Sequence, residues 1–317
     1  LDKTIDILVV GDINVDLILI VDKLPKRGGM QYVEKIVKTH GGVGGNISTA
    51  LSKLGLKTLL IGAIGDDNSG LETIEELRQN KVDVSRVKII SGAPTGLMIV
   101  IVDREGERTM IGYRGANSEL TIDEDDIHIL ERSKHLHVSG YVFLNKDSGE
   151  GSIRLLTYAR NIGITTSIDI EGVAIHKKTV LENLKGLFNY VIAGEEEARQ
   201  FTSEDKQYRL ADELLRKLQA EIAVVKLGAR GCMVAYSNGS FHIPAFHVRV
   251  LDTTGAGDAF NAGFLYGLIK NLPLREAVIL GNAIGAYKCM GIGARHLPTL
   301  RDLENTFPEL KDRVTLT

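Results

Sequence analysis

Tryptophan is absent from the 317-residue chain, cysteine occurs twice, proline six times, and aromatic residues make up only 5%. The two cysteines, Cys232 and Cys289, lie in separate segments and neither belongs to a CxxC pair. That excludes a disulfide framework, a zinc ribbon or a redox dithiol, and leaves free thiols of a reducing compartment. Charge of one sign is missing too. Lys plus Arg number 38 against 41 Asp plus Glu, a formal net charge of −3, and no basic run stands out, so a nucleic-acid partner is not expected. Long apolar runs are lacking: the first, Ile5 to Val10, is soon interrupted by Asp12 and Asp16. Neither a signal peptide nor a membrane span is expected, and the chain reads as cytoplasmic with no membrane partner.

Familiar nucleotide motifs are missing as well. No GxxxxGK[ST] occurs, no strand is followed by GxGxxG with a later acidic residue, and the HRD and DFG elements of protein kinases are absent. Histidines lack an HExxH spacing, so His135 and His137 read as satisfied core residues.

What is present is a rhythm. Short, partly β-branched runs at 7–10, 58–61, 135–138, 165–168, 190–193 and 222–225 predict strands. Amphipathic segments between them, at 46–54, 71–80, 153–161 and 210–219, predict helices. The alternation predicts an α/β fold: one doubly wound, mostly parallel sheet with helices on both faces. Two regions break the rhythm. Strand candidates at 17–21 and 32–39 fall in the first; runs at 97–102 and 108–111 flank an Asp103-Arg104-Glu105-Gly106 turn in the second. Together, about 14–40 and 96–114 predict a small β-sheet lid on a single domain spanning 1–317.

The densest signal is Asp252-Thr253-Thr254-Gly255-Ala256-Gly257-Asp258-Ala259-Phe260, read as following a strand at 247–251 and opening a helix. Small residues at 255–257 let backbone approach an anion, and a helix start offers free N–H groups to it. Asp258 there reads either as an N-cap or as a functional carboxylate. A second cluster, Gly41-Gly42-Val43-Gly44-Gly45-Asn46, reads as a tight turn or as a close approach to a polyol. Asn14 and Asp16 follow the first strand at alternate positions, suited to gripping vicinal hydroxyls.

These segments, with Gly65-Asp66-Asp67, Gly70, Lys226-Leu227-Gly228-Ala229-Arg230-Gly231 and Gly291-Ile292-Gly293-Ala294, resemble the ribokinase-like carbohydrate kinases, the PfkB family, over nearly the whole chain. The resemblance implies an ATP-dependent kinase acting on a sugar hydroxyl. Asp258 would be the general base, and Gly255, Ala256, Gly257 and Asp258 would supply a backbone anion hole. Asn14, Asp16, Gly42, Gly44 and Asn46 would hold the acceptor. Lys226, Gly228, Gly231 and Asn282 would hold the nucleotide. It further implies Mg²⁺ held through water by Glu197, and a K⁺ site at Asp252, Thr254 and the carbonyls near 289–293. A homodimer formed through the lid is also implied.

Two departures are visible. Gly194 stands where the family commonly has Asn, with Glu195 or Glu196 available to compensate, and Asp169-Ile170-Glu171-Gly172 replaces a common Asp-x-Asn-x-Arg pattern. Ribose or another neutral sugar is the expected acceptor. A nucleoside comes next, with Tyr32 or Tyr113 stacking, and 2-keto-3-deoxygluconate third, with Arg108 or Arg114 on its carboxylate. A non-catalytic sugar- or nucleotide-binding regulator is the alternative of a different class.

Overall fold

The computed structural model describes residues 3–105 and 108–315. Gly106, the last residue of the predicted lid turn, lies outside them. Nine strands form the large sheet: β1 (Ile5–Val10), β4 (Thr58–Gly65), β5 (Asp83–Ile90), β8 (Ser133–Ser139), β9 (Thr165–Asp169), β10 (Tyr190–Gly194), β11 (Ile222–Lys226), β12 (Cys232–Tyr236) and β13 (Gly239–Ile243). Their order is β13-β12-β11-β10-β9-β8-β1-β4-β5, parallel from β11 to β5, with β12 and β13 added antiparallel at one edge.

Near-continuous apolar strands arise because both faces are covered. Along β1, Leu8 and Val10 enter one core, with Leu155, Phe188 and Phe201, while Ile7 and Val9 enter the other, with Leu51, Phe264 and Ile284. Alternation along one strand therefore feeds two cores. The second holds the site's two main helices, Val43–Lys53 and Ala256–Ile269. His135 and His137 are buried in the core as expected, but only His135 is fully satisfied: His137 Nε2 is buried with no hydrogen-bond partner among the described residues. Thr165 and Ser167 hydroxyls contact the His135 ring nitrogens at 2.7 Å each, and burial lowers both histidines to about 3, keeping them neutral.

The lid is a four-stranded sheet ordered β3-β2-β6-β7, built from β2 (Asn14–Ile20), β3 (Lys35–Gly41), β6 (Gly96–Val102) and β7 (Arg108–Tyr113). Asn14 pairs with both Gly41 and Gly96, so the strand carrying Asn14 and Asp16 runs through the middle of the lid. One expectation fails: residues 247–251 form no strand. Their alternating apolar residues find no neighbouring strand. Val250 and Leu251 stay exposed at 56% and 57%, and the segment instead borders a cleft. The short edge strands β12 and β13, and β5, were not anticipated.

Gly44 is placed by packing. A Cβ on it would lie 2.5 Å from the carbonyl oxygen and 2.6 Å from the carbonyl carbon of Gly11, so the Val43–Lys53 helix starts directly against the end of β1. Gly44→Ala is expected to destabilise the protein by about 1–3 kcal/mol, as other overpacking changes do. A urea titration would show this as a lower midpoint with unchanged slope.

Candidate functional site

The site lies where the strand order turns outward from β1, beyond the C-terminal ends of the strands, as open α/β sheets place it. On one side are polar groups from the lid strand. Asn117 Nδ2 donates to Asn14 Oδ1 at 2.9 Å, and Asn117 also exchanges bonds with the Ile13 backbone, fixing the turn into β2. Asp16 is 4% exposed, and burial, with the charges of Asp258 and Asp252, raises it to about 7 against the pull of Arg295. Arg114 grips Asp12 with two bonds of 2.9 and 2.7 Å and also bonds Asn145, so its guanidinium is committed to the scaffold.

Asn46, in the first turns of its helix, donates Nδ2–H to Asp258 Oδ2 at 2.7 Å. Its amide orientation is set from behind. Arg295 Nε donates to Asn46 Oδ1 at 3.2 Å, bonds the Gly41 carbonyl at 3.1 Å and pairs with Glu76. Arg295 carried no sequence signal beyond proximity to the Gly291–Ala294 segment, and Glu76 carried none. Their partners lie 249 and 219 residues away, which no local pattern reveals.

Asp258 occupies the first turn of the Ala256–Ile269 helix, which Gly255 opens in a left-handed conformation with φ 75°. It is half-buried, and burial raises it to about 6 although Asn46 and Lys226 oppose that rise. Behind it runs a cleft of about 280 Å³ lined by Lys226, Gly228, Gly231, Gly257 and Asn282, joining the residues expected at a nucleotide. Asn282 itself is turned to the cleft wall, donating to the Ile243 and Pro244 carbonyls at 3.3 and 3.2 Å.

Deeper in, Lys226 pairs with Asp169, and Asn261 Nδ2 donates to the same carboxylate oxygen at 2.6 Å. Burial resists the Lys226 charge, yet Asp169, Glu197 and Glu171 together raise its pKa. Burial, with the charges of Asp169 and Asp258, pushes Glu171 well above the carboxylate range. Glu197 is raised too, first by burial and then by Asp169. The Glu197 carboxylate folds back beside Gly194, into the space a Cβ there would fill. Glu195 is held by Arg199 and Arg230, and Glu196 is exposed and bonded to Gln200.

A carboxylate at a helix start thus stands between polar groups of the lid strand on one side and a glycine-lined cleft on the other. A family model described as pfkB family carbohydrate kinase matches residues 4–300. The chain belongs to that family. Among curated relatives, an ATP-dependent ribose-1-phosphate kinase of Halopiger xanaduensis is 29% identical, with 92% of this chain and 95% of the relative covered. A 2-dehydro-3-deoxygluconokinase of Bacillus subtilis is 30% identical over 87% and 89%. Among solved structures, a ribokinase of Thermotoga maritima superposes with TM-score 0.82 at 27% identity, covering 96% of this chain and 99% of that one. As a PfkB carbohydrate kinase, the chain is a phosphotransferase that acts on a hydroxyl group.

The unusual ionisation of Asp16 in this kinase has a measurable consequence. An aspartate whose proton is held more tightly in the folded state than in the unfolded one stabilises the protein less as pH rises from 3.8 to about 7. Asp16→Asn removes that loss. Its Tm is expected to exceed wild type at pH 8, by the equivalent of about 2–4 kcal/mol, and to show no such gain at pH 4. Differential scanning calorimetry at the two pH values checks this; an equal shift at both would refute it.

Proposed function

We propose that this kinase transfers the γ-phosphoryl group of ATP to a hydroxyl of a neutral sugar, with Asp258 accepting the hydroxyl proton. The Asn46–Asp258 contact carries the reading, because it holds one carboxylate between the lid's polar groups and the start of a glycine-opened helix. Asn14, Asp16 and Asn46 bind acceptor hydroxyls. The Gly42 and Gly44 positions serve by letting backbone pack closely behind them. Asn46 holds Asp258 toward the acceptor, so the base sits within hydrogen-bond reach of the proton it removes.

N–H groups in the first helical turn lack acceptors within the helix and form the anion hole. Ala256 N–H is turned to the Thr253 carbonyl at 3.1 Å, so the hole rests chiefly on Gly257 and Asp258. Lys226, beside Gly257, meets the nucleotide phosphates, with Gly228 and Gly231 shaping the cleft and Asn282 holding its wall. Lid closure excludes water and protects ATP from hydrolysis.

The acidic set fits Mg²⁺. Burial and then the charge of Asp169 raise both Glu171 and Glu197 beside a single Lys226, an arrangement a dication relieves. Among the described residues no three carboxylate, histidine or cysteine groups converge to cage a metal. That suits an ion which keeps waters and binds through one or two carboxylates plus substrate phosphates. When bound, Mg²⁺ neutralises phosphate oxygens, and Glu197 would hold it through water.

One observation favours a second reading, an acidic sugar. Arg108, on the lid, bonds Thr254 Oγ1 at 3.0 Å and has no carboxylate partner among the described residues, so its charge faces the site unneutralised. Two relatives are named for anionic acceptors, a sugar phosphate and a sugar acid. A nucleoside is less favoured, because Tyr32 and Tyr113 stand 78% and 60% exposed. The lid also leaves Ile36, Met110 and Ile111 exposed, which supports a homodimer formed there.

The test is ADP release from Mg-ATP across neutral sugars, sugar phosphates, keto-deoxy acids and nucleosides. Asp258→Asn should lower kcat by about 10²–10⁴ with the preferred acceptor. Because the base must be ionised, kcat/KM should fall as pH drops through about 6. Turnover unchanged in Asp258→Asn removes the mechanism. Arg108→Met should spare neutral acceptors and raise KM only for anionic ones, and a preference for anionic acceptors would establish the second reading.

A further inference from the structure

The resemblance implies a monovalent cation at Asp252, Thr254 and the carbonyls near 289–293, and the structure gives those oxygens to other partners. Asp252 Oδ1 accepts from Thr254 N–H and Oδ2 from Gly293 N–H, each at 2.8 Å. The Cys289 carbonyl accepts from the backbone of Leu251 at 2.8 Å and of Asp252 at 3.3 Å. Thr254 Oγ1 takes Arg108. Into the same place comes a charged side chain from the end of the Leu274–Cys289 helix. Lys288 is 0% exposed, and its Nζ donates to the Asp252 carbonyl at 2.6 Å and the Gly291 carbonyl at 3.3 Å, with Asp252 Oδ2 at 3.8 Å.

An ion such as K⁺ is held in proteins by carbonyl oxygens that replace its hydration shell. Here the ammonium uses one carbonyl from each of the two segments that a cation would bridge. A K⁺ at those oxygens would meet a like charge in a place shielded from water, where repulsion is poorly screened. The position also suits the lysine's own helix, since a cation at a C-terminus complements the free carbonyls there.

We propose that the Lys288 ammonium is a built-in substitute for a monovalent activator, joining residues 252–254 to residues 289–293 and so fixing the loop that leads into the Gly255–Asp258 turn. Lys288 is a positioning residue that touches no reacting atom. The enzyme is then independent of K⁺. The proposal rests on the kinase reading only for its activity readout.

The experiment compares potassium, sodium and choline chlorides at constant ionic strength. It reads the Tm of the free protein by scanning fluorimetry and kcat with Mg-ATP and the preferred acceptor. Wild type is expected to give the same Tm and kcat in all three. Lys288→Ala, stripped of the ammonium, is expected to lose about ten-fold or more in kcat in choline, as removal of other electrostatic supports does. K⁺ should then restore most of that loss and raise the variant's Tm above its value in choline.

A wild-type Tm or kcat raised specifically by K⁺ overturns the proposal. So does a folded Lys288→Ala protein that equals wild type in choline, or one that K⁺ fails to restore. Should the variant not fold, the wild-type series decides alone. Its Tm arm needs no acceptor, so a failed kinase assay and a failed cation proposal give different results.

Discussion

The hydrogen bond between Asn46 and Asp258 joins residues 212 positions apart, and it determines how the two halves of the chain must meet. Asn46 comes from the helix that follows the first two lid strands, and Asp258 from the helix that follows the sheet's antiparallel edge. Both helices pack on the same face of the sheet, in one core. Neither residue could hold its partner if that core shifted by the length of a hydrogen bond. Arg295 adds a third anchor, because its Nε occupies Asn46 Oδ1 and leaves only the amide hydrogens to face Asp258. The orientation of one side-chain amide is thus fixed by a buried arginine whose own charge is met by Glu76.

Around that bond the charges are arranged against their own stability. Asp16 and Asp258 sit above the usual carboxylate range, chiefly through burial, and Glu171 and Glu197 are raised by burial and then by the charge of Asp169. A fold selected only for stability would replace some of these with apolar groups. Their retention fits the proposed role, in which positive charge would come from outside with the nucleotide and Asp258 would act as a base with a pKa closer to neutrality than an ordinary aspartate's.

The strands of β1, β4, β8, β9, β10 and β11 were legible because burial on both faces leaves short β-branched runs, a signal that survives without tertiary information. The lid was legible because its strands interrupt the βα rhythm. Residues 247–251 misled for a related reason: apolar alternation describes a strand only when a neighbouring strand pairs with it, and here none does. At the site, Asp258 and Asn46 were visible as members of contiguous motifs. Arg295, Glu76 and Lys288 were not, since each acts through a contact whose partner lies far off in sequence or on a backbone carbonyl, which no side-chain pattern encodes. Gly194 was visible as a departure, and the fold of Glu197 beside it was not.

Two lysines lie against the segment 252–258. Lys226 approaches Gly257 from the end of β11 and is pinned by Asp169 and Asn261. Lys288 approaches the Asp252 carbonyl from the end of a helix and is pinned by Gly291. Between them lies the helix start, whose free N–H groups add partial positive charge of their own. Positive potential at this turn therefore does not wait for a ligand to create it. Protein groups that are already oriented need no reorganisation when negative charge arrives, which is the condition under which electrostatic stabilisation of a phosphoryl group is strongest.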